Sequence, residues 1–250
     1  MAPTKKKLVI FDFDGTLFDT HASISHCIKL TFDTLLTSPQ DTPSEAEIHR
    51  LISSGAGLQD TFRTLQPVDN AATEKLQWTT ELEERWIATY RELYAQHGQP
   101  LIKPFPSAVE LLQQLQIPGV AISIVSNKGV AAVVTALNGN GLGGAVNEEL
   151  IVGDKTPGAT RKPDTASFTN VLLPRLKDVR YGIKDFEGIE DGRDVLVVGD
   201  TVADIQFAAN IGAKSVWCRY GYGDRSACES LKPDYTVDSL AEVAGIALGH

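Results

Sequence analysis

Five short apolar runs punctuate the chain, at residues 8–12, 120–125, 149–152, 194–199 and 214–218. Most are rich in Val and Ile, and they lack the strict alternation of a strand with one wet face. Such runs predict strands buried on both sides, as in a parallel sheet covered by helices. Their spacing is uneven. About a hundred residues separate the first run from the second, far more than a single crossover helix needs. Within 20–100, apolar side chains recur at steps of three and four, first through Ile24, Cys27, Ile28 and Leu30 to Leu36, then through Leu82, Trp86, Tyr90 and Leu93. That period predicts amphipathic helices, with Trp86 and Tyr90 in their core. Pro100, Pro104 and Pro106 mark the return to the strand-and-helix pattern. The predicted organisation is an α/β domain of residues 1–19 and 101–250, interrupted by a helical domain at 20–100. A polar, charged stretch at 177–193 predicts a surface insertion.

Composition narrows the function classes. The chain has 250 residues, 42% of them hydrophobic, enough for a sizeable core. A formal net charge of −9, from 23 basic and 32 acidic residues, argues against a nucleic-acid or anionic-membrane partner, because both rely on a basic face. The Lys5-Lys6-Lys7 run reads as a solvated terminus. Cys27, Cys218 and Cys228 form no CxxC pair, which fits free thiols in a reducing compartment and predicts a cytoplasmic protein. No apolar stretch approaches the roughly 20 residues of a membrane span. The expected assembly is a monomer or homodimer with a small-molecule ligand.

Candidate chemistry sits at the ends of the runs. Asp12-Phe13-Asp14-Gly15-Thr16-Leu17 follows Leu8-Val9-Ile10-Phe11 directly. Residues i and i+2 of a strand point the same way. Two carboxylates so close repel unless a cation, a proton or a phosphoryl group uses them. Gly15 permits a tight exit turn whose backbone N–H groups would face an anion. Ser126-Asn127 ends the second run, Lys162-Pro163 follows the third, and Gly199-Asp200-Thr201 with Asp204 ends the fourth. Taken singly, each reads equally well as an ordinary turn. In a parallel sheet, however, strand ends converge on the edge where ligands bind.

In this order the four motifs resemble those of the haloacid dehalogenase superfamily of phosphohydrolases. Asp12 to Thr20, Ser126-Asn127-Lys128, Gly199 to Asp204 and Tyr220-Gly221-Tyr222-Gly223 resemble its phosphoglycolate phosphatase-like branch. The resemblance implies a Rossmann-like α/β core with a mobile helical cap at 20–100, and it implies roles. Asp12 would be the nucleophile that forms an aspartyl-phosphate, Asp14 the general acid and base, and Lys162 the fixed positive charge. Gly15, Thr16, Ser126 and Asn127, with Lys162, would hold the phosphate. Mg²⁺ would be the cofactor, bound by the side chains of Asp12 and Asp200 and the backbone carbonyl of Asp14, with Asp204 and Thr201 supporting it. In the cap, Ser53 to Phe62 resembles a glycine-containing specificity segment, with His21, Arg50 and Arg63 as candidate substrate contacts.

The implied activity is hydrolysis of a small phosphomonoester, phosphoglycolate or a sugar or polyol phosphate, with pyrophosphate or a prenyl phosphate as alternatives. Carbon–halogen cleavage is disfavoured because it has no use for Asp14. Mutase chemistry is disfavoured because Ile24 stands where a His is expected. A silent binding or regulatory protein of the same fold would have lost one of Asp12, Asp14, Lys162 or Asp200, and all four are present.

Overall fold

Strand β1 (Leu8–Phe11) has no polar side chain and is buried along its whole length. It is therefore suited to the middle of a sheet covered on both faces. The computed structural model, which describes residues 5–36, 42–66, 78–178, 189 and 191–249, places it there. β1 pairs in parallel with β4 (Ala121–Gly129) on one side and β6 (Val195–Gly199) on the other. With β5 (Ile151–Asp154), β7 (Lys214–Cys218) and β8 (Tyr235–Val237), the order is β5-β4-β1-β6-β7-β8, all parallel. The chain reverses direction across the sheet at β1, and the C-terminal ends of β1, β4 and β6 lie side by side.

Two departures from the expected strands matter for the site. β4 runs past Val125 through Ser126, Asn127 and Lys128, with a register shift between Val125 and Gly129. The irregularity carries three polar side chains beyond the buried run. A two-stranded antiparallel ribbon, β2 (Phe18–Asp19) with β3 (Lys103–Pro104), pairs Asp19 with Lys103.

One core layer gathers Leu8, Ile10, Val195 and Val197 from the sheet with Phe168, Leu172 and Phe207 from the helical side. Ile189, from the stretch expected to be a surface insertion, is buried in the same layer. Residues 179–188 and 190 of that stretch lie outside the described residues. The leading lysines do more than sit in water. Lys6 is buried with its ammonium donating to the Arg193 carbonyl at 2.9 Å, and Lys7 pairs with Asp194 at 3.0 Å, so both pin the start of β1.

The described contacts divide the chain into two compact units, Met1–Asp19 with Lys103–His250, and Thr20–Ile102. The second is helical: α1 (His21–Leu35), α2 (Glu45–Ser53), α3 (Leu58–Leu65) and α4 (Thr80–Leu93). Ser44 and Glu47 form a reciprocal capping box on α2, and Thr79 caps α4, which satisfies donors that every helix start leaves open. Cys27, Ile28, Thr31 and Phe32 make the buried stripe of α1, while Leu30 and Leu35 are only half-buried. Phe32 meets Trp86 edge-on at 4.7 Å and Phe62 meets Tyr90 at 5.7 Å, so these aromatics form the core predicted for Trp86 and Tyr90. Among the described residues no helix is long and apolar enough to cross a membrane.

Candidate active site

The loop after β1 is built around Gly15. Its φ is +83°, a left-handed conformation that costs other residues energy. A methyl group there would overlap the carboxylate of Asp200 and come within 2.8 Å of the Tyr222 ring. Its amide donates to the Phe18 carbonyl at 2.9 Å. The Gly15 N–H thus closes the turn and does not face an anion, and the residue's contribution is conformation and space. The buried hydroxyl of Thr16 donates to Oδ1 of Asp200 at 3.1 Å.

Three carboxylates converge where β1 and β6 end. Asp12, Asp200 and Asp204 are buried, and each offers an oxygen within 4.8 Å of the others. Lys162 lies among them with its Nζ 2.6 Å from Oδ1 of Asp12 and 2.6 Å from Oδ1 of Asp204. The backbone N–H of Lys162 donates to Oδ1 of Asn127 at 3.2 Å. Through this bond Asn127 fixes the segment that delivers the ammonium. Asp204 sits in the first turn of α8 (Val202–Asn210), where its Oδ2 accepts from the Thr201 amide at 3.0 Å and the Thr201 hydroxyl at 2.8 Å. That helix-capping geometry aims its other oxygen at Lys162. Asp200 is gripped from several sides: Oδ2 accepts from the Tyr222 amide at 2.7 Å, and its carbonyl accepts from the Trp217 indole at 3.0 Å and the Cys228 thiol at 3.6 Å.

Three acids around one ammonium leave an excess of negative charge away from water, and the protonation energetics reflect it. Burial, opposed by Lys162 and reinforced by Asp204 and Asp14, holds Asp12 up to about 7. Burial, then the charges of Asp12 and Asp204, hold Asp200 well above the usual carboxylate range despite the Tyr222 and Thr16 hydrogen bonds. Burial works against the Lys162 ammonium, but Asp12 and Asp204 outweigh it and raise its pKa. A multivalent cation is the countercharge such a site lacks. The donors are all carboxylate oxygens, the hard ligand set that suits Mg²⁺. The residues present, Asp12, Asp200 and Asp204, therefore fit a divalent metal. The cysteines offer no competing nucleophile, since all three are buried and in no disulfide, and burial pushes the Cys228 thiol up to about 12.

Asp14 stands apart from this cluster. Its Oδ1 receives the Lys128 ammonium at 3.0 Å, with the two side chains 23% and 10% exposed. Ser126 is buried close by in sequence and accepts from the Lys128 amide at 3.2 Å, leaving its hydroxyl proton to donate elsewhere. Lys128 has no distinguishing signal beyond its place after Ser126-Asn127, and only the extended, irregular end of β4 shows why it reaches Asp14. Tyr220 and Tyr222 were legible as a motif but not as partners of Thr16, Asp19 and Asp200.

The candidate substrate contacts belong to the helical unit. His21 Nε2 lies 2.9 Å from His49 Nδ1. Arg50 is exposed in the last turn of α2. Arg63 is committed to the fold: its guanidinium grips buried Glu83 through both Nε and Nη2, and Trp78 donates to the same carboxylate at 3.2 Å.

Comparison with known proteins agrees with this geometry. The family model for haloacid dehalogenase-like hydrolases matches residues 9–218. A phosphoglycolate phosphatase of Vibrio parahaemolyticus is 27% identical over 241 residues, covering 95% of this chain and 94% of that one. One from Thiobacillus denitrificans is 29% identical over 243 residues, covering 97% and 96%. Among solved structures, a haloacid dehalogenase-like family hydrolase from Streptococcus pneumoniae superposes with a TM-score of 0.70 at 20% identity, over 96% of both chains. That last likeness is one of fold.

Proposed function

Since the chain belongs to the haloacid dehalogenase-like hydrolase family, we propose that it is a Mg²⁺-dependent phosphatase that hydrolyses a small phosphomonoester through an aspartyl-phosphate on Asp12. The observation that carries this reading is the buried ammonium of Lys162 bridging Asp12 and Asp204 beside Asp200. A purely structural core would gain nothing from so many desolvated charges.

Lys162 holds Oδ1 of Asp12, which leaves Oδ2 to attack phosphorus as the bond to the leaving oxygen breaks. Lys128 holds Oδ1 of Asp14, which leaves Oδ2 to give a proton to the leaving alkoxide and then to take one from the water that releases phosphate. Acid–base help of this kind is worth about 10²–10⁴ in rate. Ser126 donates to a phosphate oxygen, and the Lys162 ammonium offsets charge on both Asp12 and the phosphoryl group. Asp12, Asp200 and the Asp14 carbonyl would hold Mg²⁺, which would supply charge neutralisation between the carboxylates and the phosphate. Thr201 and Asp204 hold the end of β6 and Lys162 in place.

The helical unit is read as the specificity domain, with His21 and Arg50 as candidate specificity residues. The names of the relatives, phosphoglycolate phosphatases, support phosphoglycolate as substrate, with a sugar or polyol phosphate as the alternative monoester. The test is phosphate release with Mg²⁺ across phosphoglycolate, sugar and polyol phosphates, pyrophosphate and prenyl phosphates, with Asp12→Asn alongside. The expected result is one preferred monoester, with turnover abolished in folded Asp12→Asn. Full activity in that variant overturns the covalent mechanism, and background rates with every ester overturn the phosphatase reading.

A further inference from the structure

One side chain spans from the carboxylate cluster to the two-stranded ribbon. The amide of Tyr222 donates to Oδ2 of Asp200 at 2.7 Å, and its hydroxyl, at the far end of the ring, donates to Oδ1 of Asp19 at 2.7 Å. Between these ends the ring passes against Gly15, where any Cβ would meet it. Asp19 is the β2 residue paired with Lys103 of β3. Beside Tyr222, the Tyr220 hydroxyl donates to the Thr16 carbonyl at 2.8 Å, and the Phe105 ring, just past β3, packs edge-on against Tyr220 at 4.9 Å. Gly221 lies so close to Asp200 that a methyl group there would overlap its side chain.

The geometry points to Tyr222 as a positioning residue that uses Asp19 as an anchor to set the Asp200 carboxylate for divalent-metal binding. This rests on the reading of Asp200 as a metal ligand. The Asp200 carboxylate has only two donors among the bonds described above, the Thr16 hydroxyl and the Tyr222 backbone amide. The Tyr222 amide can hold its place only if the residue cannot swing, and the Asp19 bond fixes its outer end. Groups that directly orient a ligand are worth about 10- to 100-fold in metal affinity. A tether one step further out is worth roughly the loss of one ordinary hydrogen bond, about three- to tenfold.

The experiment is a calorimetric titration of the metal-free chain with Mg²⁺, which needs no turnover. Tyr222→Phe and Asp19→Ala are each expected to raise the Mg²⁺ dissociation constant by about three- to tenfold. The double variant is expected to be no weaker than either single one, because both remove the same bond. Asp19→Asn keeps an acceptor oxygen and is expected to restore wild-type affinity, which a general loss of folding would not allow. Wild-type affinity in both single variants, or losses that multiply in the double, overturns the tether alone. Wild-type protein that binds Mg²⁺ no better than Asp200→Ala overturns the metal reading and the tether with it.

Discussion

Lys128 and Asp14, 114 positions apart, meet with Nζ 3.0 Å from Oδ1. The pair sits at the ends of the adjacent strands β1 and β4, and it engages one oxygen of Asp14, the proposed general acid. Lys128→Met keeps the stem and removes the charge. Turnover of alkyl phosphates, which need a proton donor, is expected to fall by about tenfold or more. Turnover of an aryl phosphate with a good leaving group is expected to change far less. Stability is expected to fall by about 1–3 kcal/mol, because the two side chains are only 10% and 23% exposed and Asp14 is left with an unmatched charge. Steady-state rates on both ester types check this, and equal slowing would assign Lys128 to phosphate binding instead.

The surplus of buried carboxylate predicts a particular coupling between pH and metal. Asp12 is held up to about 7, by burial above all, against an ordinary 3.8. Between those values the unfolded chain has released the proton that the folded chain still binds. Stability of the metal-free protein therefore falls as pH rises through that window, and the loss is complete above about 7. Mg²⁺ binds the ionised carboxylates, so its stabilisation grows in the same direction. Melting temperatures with a chelator are expected to be lower at about pH 8 than at about pH 5.5, with Mg²⁺ raising them substantially only at the higher pH. Equal Mg²⁺ stabilisation at both would argue that Asp12 is ionised without the metal.

The sequence conveyed the sheet well because its strands are buried on both faces. Leu8 to Phe11 and Val195 to Val198 admit no other environment. β8 and the ribbon were not legible: Tyr235–Val237 is too short for a pattern, and Pro104 stands inside β3. Asp12, Asp200 and Asp204 were identifiable because their motifs follow those strands directly, and Lys162 from its Lys-Pro pair after β5; the structure brings all four together. Partnerships were another matter. Spacing placed Thr16, Gly15 and Asn127 beside the site without their partners: Thr16 bonds Asp200, the Gly15 amide closes a turn and Asn127 holds the Lys162 backbone. Spacing along a chain says which residues share an edge, but which donor meets which acceptor is decided by loop geometry.

Close backbone approach makes the glycines around Asp200 a sharp test. A Cβ at Gly221 would overlap the Asp200 side chain, whereas one at Gly139 has nothing within 4 Å. Gly221→Ala must displace either the loop or the carboxylate. It is expected to cost about 1–3 kcal/mol of stability and to weaken Mg²⁺ binding. Gly139→Ala, in the last turn of α6 (Val130–Gly139), is expected to be neutral or to stabilise by up to about 1 kcal/mol. Thermal melts with and without Mg²⁺ distinguish the two, and an unperturbed Gly221→Ala would show that Asp200 tolerates displacement.

Arg63 offers a choice between folding and substrate roles that one substitution resolves. Glu83 is buried, its side chain only 7% exposed, and it accepts from Arg63 and from Trp78. Removing the guanidinium leaves a desolvated carboxylate with its charge unmatched. Burial alone favours protonation of Glu83, but the Arg63 and Trp78 hydrogen bonds outweigh it and hold its pKa down. Arg63→Met is therefore expected to destabilise the chain by about 1–3 kcal/mol, the lower part of the range for a broken buried pair because Arg63 itself is more than half exposed. Arg63→Met with Glu83→Gln is expected to recover most of that loss, since a neutral amide keeps the Trp78 bond without a charge to match. The KM for the preferred ester is expected to stay within about twofold in both variants. A KM raised tenfold or more with an unchanged melting temperature would place Arg63 against substrate and take it out of the core of the helical unit.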